Sequence, residues 1–411
     1  MKYGLIGEHL THSFSKEIHE KINSYIYDLC EVSKDEFASF MEKRDFKAIN
    51  VTIPYKEKVI PYLESIDDAA KFIGAVNTIV NRDGKLYGYN TDFLGLKNLV
   101  LINDIDVCNK KVIILGTGGT SKTAHAVMKD LNASEIHFVS RKSSETACSY
   151  EDCYKIHNDA QIIINTTPCG MYPNCDDSIL DIKKFPNCEA VIDVIYNPLK
   201  TSIIRDALSL GIKAVNGLYM LVAQAVYASS IFMNESYDEL VIKKIYNEIK
   251  SQKQNIVLIG MPSSGKSTIG KKLSEILGKK LVDTDNEIEK IIQMPISNFL
   301  TKENENEFRD IEENVIKEVS VKNNLIISTG GGIIKRNKNI WRLKASGIVI
   351  FIDRPLNLLE VTNTRPLSNN KLDLEKLYKE RYELYNSLCD IKIDNDKDIN
   401  VVIDNILKEV K

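Results

Sequence analysis

Short runs of β-branched and other apolar residues alternate with amphipathic stretches along almost the whole chain. KVIILG at 111–116, EIHFVS at 135–140, QIIINTT at 161–167 and AVIDVIY at 190–196 are four such runs. NIVLIG at 255–260, NLIISTGG at 324–331 and GIVIFID at 347–353 are three more. Runs apolar on both faces predict buried strands, and helical stretches between them predict parallel sheets with crossover helices. The expected fold class is therefore α/β, with no internal repeat and no low-complexity tract.

At 411 residues the chain exceeds one ordinary core. The polar helical stretch DELVIKKIYNEIK ends at SQKQ, residues 251–254, where a buried strand begins. This is the main expected boundary, and a weaker one precedes KVIILG. Three α/β units follow: 1–100, 101–250 and 254–411, with the helices from about 218–247 expected to return to the first. A hydrophobic content of 43% and a charged content of 27% fit soluble globular protein. A formal charge of −3 gives no electrostatic case for nucleic acid or an anionic membrane. MKYGLIGEHL lacks the pattern of a signal peptide, and no apolar run is long enough to span a bilayer. Eight cysteines without a CxxC pair are expected as reduced thiols of a cytoplasmic protein.

KVIILGTGGTSKTAHAVMKDL reads as strand, glycine turn, helix. Gly116 permits the tight turn, and Gly118 and Gly119 let backbone approach a pyrophosphate at the positive end of the helix. Ser121 takes the third fingerprint position as a small residue. The next strand ends in Ser140-Arg141-Lys142, where an NAD site would place a carboxylate. A guanidinium and an ammonium suit a 2′-phosphate, so the expected cofactor is NADP(H), with Arg141 its main reader. A plain turn with solvated loop charges is the alternative.

Four earlier stretches carry polar groups in unusual settings: HSFSKEIH at 12–19, NVTIPYKEK at 50–58, GAVNTIV at 74–80 and YGYNTDFLG at 87–95. Taken singly, each serves as a helix cap or turn. Together they form a set of hydroxyl, amide, ammonium and carboxylate groups suited to a small polyhydroxylated acid. A lysine beside an aspartate is also a proton-transfer pair.

GMPSSGKST at 260–268 matches G-x-x-x-x-G-K-[ST] and sits between a buried strand and a helical pattern. Backbone N–H groups of the loop, with Gly260, Ser263, Ser264, Gly265 and Thr268 among its residues, are expected to cradle nucleotide phosphates. Lys266 reaches the β and γ oxygens and the Ser267 hydroxyl binds Mg²⁺. Asp283 and Asp285 in LVDTDNEIEK end a strand, where alternate residues would point the same way. Arg309 in NEFRDIEE reads either as a site residue or as a surface ion pair with a helical glutamate.

The four early stretches, with GTGGTSKTA, NTTPCGMYP at 165–173, DVIYNPLKT at 193–201 and NGLYMLVAQAVYA at 216–228, resemble shikimate dehydrogenase over about residues 1–247. That resemblance implies a substrate-binding unit at 1–100, an NADP-binding unit at 101–250, and reduction of 3-dehydroshikimate to shikimate. It implies Lys56 and Asp92 as the catalytic pair. Ser13, Ser15, Thr52, Asn77, Tyr196 and Gln224 would hold substrate, and Gly217 and Met220 would lie near the nicotinamide. Lys16 stands where the family usually has proline, and Glu20 where it has asparagine; this half is also somewhat short.

The phosphate loop, DTD, FRxxE, STGGG at 328–332, TRPLSNN at 364–370 and RYELY at 381–385 resemble shikimate kinase over about residues 254–411. The implied reaction moves the γ-phosphoryl of ATP to the 3-hydroxyl of shikimate. Asp285 would activate that hydroxyl, Arg309 and Arg381 would clamp the carboxylate, and Gly330, Gly331 and Gly332 would let backbone approach. Asp283 would organise Mg²⁺, and Arg365 would cover the transferring phosphate from a polar, mobile lid. Val361, Thr362 and Asn363 occupy the stretch where the family has another arginine near the adenine.

Three other readings remain at this level: a quinate/shikimate dehydrogenase joined to the kinase, a non-catalytic sensor of such acids, and an unrelated metabolite kinase behind a structural dinucleotide fold. His12 and His19 lack the spacing of a helical metal pair. Trp341 reads as a packing residue.

Overall fold

The computed structural model describes residues 1–10, 14–301, 303–360 and 371–410. His12, Ser13, Val361, Thr362, Asn363 and Arg365, with the TRPLSNN stretch from Thr364 onward, lie outside the described residues. The chain forms two compact units. One comprises Met1–Met171, Asp177–Tyr196 and Thr201–Ile249. The other comprises Tyr172–Asp176, Asn197–Lys200 and the described chain from Lys250 onward.

The first unit holds two six-stranded sheets. Strands β1 (Tyr3–Gly7), β2 (Tyr27–Glu31), β3 (Ala48–Val51), β4 (Ser65–Ile66), β5 (Thr78–Arg82) and β6 (Lys85–Tyr89) lie in the order β2-β1-β3-β5-β6-β4. β1 runs parallel to β2 and β3, whereas β5 runs antiparallel to both of its neighbours, β3 and β6. Arg82 pairs with Lys85 across a two-residue turn in which Asp83 has φ 52° and Gly84 φ 84°. An Asp-Gly pair with both φ positive makes the turn whose twist matches a hairpin.

The second sheet is parallel throughout. β7 (Lys111–Leu115), β8 (Glu135–Ser140), β9 (Ala147–Ser149), β10 (Ile162–Asn165), β11 (Ala190–Asp193) and β12 (Lys213–Asn216) lie in the order β12-β11-β10-β7-β8-β9. The chain order reverses between β7 and β10, which opens a crevice at the carboxyl ends of these strands. Val112, Ile113, Ile114, Ile162, Ile163 and Ile164 are fully buried, which explains why these strands read as unbroken apolar runs.

Although the sequence divides here, one compact unit contains both sheets. The helix Leu218–Met233 packs along the helix Thr91–Ile102, and Gly95 permits that approach. A Cβ on Gly95 would meet the Met220 carbonyl and the Gln224 backbone. Further along, Ala228 and Phe232 join Leu5, Tyr27, Ala48 and Val80 in the core of the first sheet.

The second unit is built on one parallel sheet, β14-β15-β13-β16-β17, from β13 (Asn255–Ile259), β14 (Lys280–Asp283), β15 (Leu325–Ser328), β16 (Gly347–Asp353) and β17 (Ile391–Asp394). Alternate residues feed two cores. Val257, Ile259, Ile327, Val349 and Phe351 face one, and Ile256, Leu258, Ile326, Ile350 and Ile352 the other. Each such side chain contributes about 1.5–3 kcal/mol by leaving water. Among the described residues no helix is long and apolar enough to cross a membrane.

Candidate active sites

The first site is built where β3 ends. Thr52 donates its N–H to Ile6 O and accepts from Tyr55 N, turning the chain so that Lys56 follows directly. Tyr55 pins the turn, with its ring stacked on Phe37 at 4.3 Å and its hydroxyl donating to Val32 O at 2.6 Å. The Lys56 carbonyl accepts from Val76 N, so the lysine is tied to the segment carrying Asn77. Asn90 caps the helix Thr91–Ile102 by accepting from Phe93 N at 3.2 Å. This places Asp92 in the first turn, where the helix dipole favours a carboxylate.

Lys56 Nζ donates to Asp92 Oδ2 at 2.5 Å, with the side chains 20% and 14% exposed. Asn77 sits beside them: its Oδ1 accepts from Thr91 N at 2.7 Å and its Nδ2 donates to Thr91 Oγ1 at 3.0 Å. Gly95 lies one turn from Asp92, on the same helix face, and Gln224 packs against it. Ser15 opens the helix Ser15–Ile22 and is buried, and Phe14 beside it packs its ring 5.1 Å from that of Tyr196. Burial raises the Tyr196 phenol above its ordinary range. Thr52 is partly exposed at the same turn.

The dinucleotide turn follows β7. Gly116 has φ 106°, a region that favours glycine, and a Cβ there would meet Thr166 and Thr167. Gly118 caps the helix Gly119–Asp130, and a Cβ on Gly118 or Gly119 would meet nothing within 4 Å. Ser121 is buried and donates to Gly118 O at 2.5 Å, so the third fingerprint position is filled by a compact, satisfied residue. Ser140 ends β8 and donates to Lys142 O, while Arg141 and Lys142 are exposed just beyond. An open glycine face at a helix amino end, with a guanidinium at the end of the next strand, fits a dinucleotide bearing a 2′-phosphate. Gly217 donates to Ile195 O at 3.0 Å, and a Cβ there would collide with Val194 O. Met220 follows in the helix beginning at Leu218.

The second site surrounds the loop after β13. Ser263 with φ 62° and Gly265 with φ 89° curl the backbone before the helix Lys266–Leu277. Lys266 Nζ donates to Gly260 O at 3.0 Å and to Met261 O at 2.9 Å, with Ser264 Oγ at 3.5 Å. Ser264 is itself fully buried. Ser267 Oγ donates to Asp283 Oδ2 at 2.8 Å. A hydroxyl and a carboxylate at one point are hard oxygen donors of the kind Mg²⁺ takes.

Asp283 and Asp285 are brought together, though not by strand alternation. Asp283 ends β14 and caps the helix Thr284–Ile292, accepting from Asp285 N at 3.1 Å; Asp285 stands in the first helical turn. Its carboxylate occupies the place a Cβ on Gly330 would take. Arg309 likewise occupies the space above Gly332. The reading of Arg309 as a surface pair is corrected here: Arg309 and Glu312 are 5% and 1% exposed. Arg309 Nη1 reaches both Glu312 oxygens at 2.9 and 3.0 Å. Burial raises the Glu312 carboxyl above its usual range, against the pull of Arg309. Arg381 Nη1 donates to Gly331 O at 2.8 Å. Among the described residues, Arg309 Nε and Arg381 Nε and Nη2 are buried with no hydrogen-bond partner. Buried unsatisfied donors cost about 1–3 kcal/mol each, and more when charged, so they favour a planar anion. Lys266, Thr268, Asp283, Asp285, Arg309, Gly330–Gly332 and Arg381 line one cleft of about 570 Å³.

Two supports were not picked out in the sequence. Behind Asn77, Tyr27 donates to Asn50 Oδ1 at 2.7 Å, and Asn50 donates to Thr78 Oγ1 at 3.0 Å; an asparagine inside the apolar run AINV was the available signal. Around Arg309, Glu305 pairs with both Arg309 and Lys335.

Comparison with known proteins agrees with both halves. The family model for shikimate dehydrogenase substrate binding domain matches residues 5–79, and that for shikimate kinase matches residues 262–411. A shikimate dehydrogenase (NADP(+)) of Clostridium perfringens is 38% identical over 266 residues, covering 60% of this chain and 98% of that relative. The solved shikimate dehydrogenase 1 of Peptoclostridium difficile is 38% identical with a TM-score of 0.56, covering 61% of this chain and 98% of its own. A chorismate mutase/shikimate 5-dehydrogenase fusion from Clostridium acetobutylicum is 34% identical with a TM-score of 0.57, covering 60% and 96%. The chain belongs to the shikimate dehydrogenase family over its first three-fifths and carries a shikimate kinase domain at its carboxyl end.

Proposed function

We infer that this chain is a bifunctional enzyme that reduces 3-dehydroshikimate to shikimate with NADPH and then phosphorylates shikimate at its 3-hydroxyl with ATP and Mg²⁺. The observation that carries the reading is the pairing of two separate constellations in one chain. One is the Lys56–Asp92 couple in the unit that holds the dinucleotide turn. The other is the pair of arginines beside Asp285 in the phosphate-loop cleft whose buried Nε atoms, with Arg381 Nη2, have no partner among the described residues.

In the reduction, NADPH supplies the hydride when bound. Lys56 donates a proton to the carbonyl oxygen as its charge grows, and Asp92 holds the ammonium in line and stabilises it. Asn77, Ser13, Ser15, Thr52, Tyr196 and Gln224 orient the hydroxyls and carboxylate of the acid. Gly217 and Met220 shape the wall beside the nicotinamide, and Arg141, with Ser140 and Lys142, reads the 2′-phosphate.

In the phosphorylation, ATP and Mg²⁺ supply the transferable group and its charge neutralisation. Arg309 and Arg381 hold the acid by its carboxylate, and Glu312 fixes the Arg309 fork. Asp285 accepts the proton of the attacking hydroxyl, while Lys266 and Arg365 offset charge on the phosphoryl oxygens. Ser267 and Asp283 are the residues that would hold the metal.

The test begins with NADPH oxidation by 3-dehydroshikimate and ATP consumption with shikimate, assayed on the whole chain. Both activities are expected. Arg141→Asp should then raise the KM for NADPH at least about tenfold, the loss of a guanidinium–phosphate contact, and leave the NADH rate within about twofold. Equal loss with both nucleotides would contradict the role of Arg141. Absence of both wild-type activities would favour the sensor reading.

A further inference from the structure

Asp193 ends β11 and is completely buried. It is bound by three donors. Its Oδ1 accepts from Asn165 Nδ2 at 3.0 Å and from Ile195 N at 3.0 Å, and its Oδ2 accepts from Thr201 Oγ1. Asn165 and Thr201 are themselves buried, at 0% and 1% exposure.

Two of the donors lead to the crevice, and the third anchors the carboxylate to the following helix. Asn165 Oδ1 accepts from Thr167 N at 3.0 Å and Thr167 Oγ1 at 2.8 Å. That fixes its amide so that Nδ2 must point at Asp193, and it fixes the loop whose threonines abut the Gly116 turn. Ile195 carries the backbone into Tyr196, and its carbonyl accepts from Gly217 N at 3.0 Å. Thr201 leads into the helix Ser202–Ser209. One carboxylate thus ties the dinucleotide turn, the Tyr196 segment and the Gly217 turn into one register.

We propose that Asp193 is the positioning residue of the dehydrogenase site, setting Tyr196 and Gly217 relative to the Gly116 turn so that the nicotinamide and the acid meet at reactive distance. This rests on the dehydrogenase reading above. An oxygen acceptor is required for Asn165 Nδ2 and Ile195 N, which both donate to Oδ1. A carboxamide would keep that oxygen but lose the charge, and its N–H₂ would meet Thr201 Oγ1 only if that hydroxyl reversed and gave up its own donation. Burial pushes the Asp193 carboxyl up to about 7, with the three donors opposing the rise, so the comparison belongs above pH 8, where the carboxylate is ionised.

The experiment compares wild-type chain with Asp193→Asn, Thr201→Val and Thr201→Ser at pH 8.5. Measured quantities are kcat and KM for 3-dehydroshikimate reduction by NADPH, and the Kd of adenosine 2′,5′-bisphosphate, a probe of the Arg141 end alone. Misplacement by about 1 Å costs on the order of 100-fold in rate. Asp193→Asn is expected to lose about that factor in kcat/KM while binding the bisphosphate within about twofold of wild type, the margin of the probe comparison. Thr201→Val should lose activity in the same sense, and Thr201→Ser, which keeps the hydroxyl, should restore it. Should Asp193→Asn fail to fold, the threonine pair carries the comparison. The proposal is overturned if the folded variants keep kcat/KM within about threefold of wild type, far short of the loss that misplacement predicts. It is also overturned if Thr201→Ser falls as far as Thr201→Val, or if bisphosphate binding is lost in proportion to activity. An inactive wild-type chain would instead sink the dehydrogenase reading itself.

Discussion

Lys56→Met is expected to lower kcat for 3-dehydroshikimate reduction by about 10²–10⁴-fold, the usual worth of a positioned general acid. The residue sits 2.5 Å from Asp92 on a turn pinned by Tyr55, so the substitution removes the proposed proton donor and leaves its support in place. KM for NADPH should hold, because the turn at Gly116 and the Arg141 loop lie on the other sheet. Phosphorylation of shikimate by the same preparation should be unchanged, which makes it an internal control for concentration. A variant retaining more than about a tenth of wild-type kcat would show that water or another group supplies the proton.

Asp285→Asn should have the corresponding effect on the other activity. The carboxamide has nearly the same shape, so the close approach to Gly330 and the helix capped by Asp283 survive. What is lost is the base proposed to take the hydroxyl proton, about 10²–10⁴-fold in kcat. KM for shikimate should move much less, because Arg309 and Arg381 are the groups proposed to hold the acid. Steady-state phosphorylation kinetics check this, with reduction of 3-dehydroshikimate as the unaffected control. A rise in KM with kcat preserved would instead make Asp285 a binding group.

Much of this was legible in the chain itself, for identifiable reasons. Strands such as KVIILG and NIVLIG are buried on both faces, so their sequences are apolar without alternation and stand out. Gly116 and the phosphate loop were readable because backbone geometry and phosphate binding restrict residue type at fixed offsets. The second cleft gathers Lys266, Asp283, Asp285, Arg309 and Arg381, drawn from segments more than a hundred residues apart.

What stayed hidden depended on tertiary setting. FRDIEE has the same spacing whether Arg309 and Glu312 lie in water or in a core; only packing decided for the core. Asp283 and Asp285 in LVDTD fit either strand alternation or a helix cap followed by an acid, and the helix begins at Thr284, before the strand could reach Asp285. Asp193 in AVIDVIY looks like an ordinary strand end, because its donors come from Asn165 and Thr201. The shared unit of the first two sheets depends on the helix Leu218–Met233 meeting the helix Thr91–Ile102 from far along the chain.

The central claim is that one chain carries the same acid through both steps. The direct measurement incubates the purified chain with 3-dehydroshikimate, NADPH, ATP and Mg²⁺ while following NADPH absorbance and phosphorus NMR together. Shikimate 3-phosphate should form with one NADPH oxidised per ADP released, after a lag while free shikimate accumulates. NADPH oxidation that yields shikimate with no phosphorylated product, or ATP consumption that proceeds without shikimate, would contradict it.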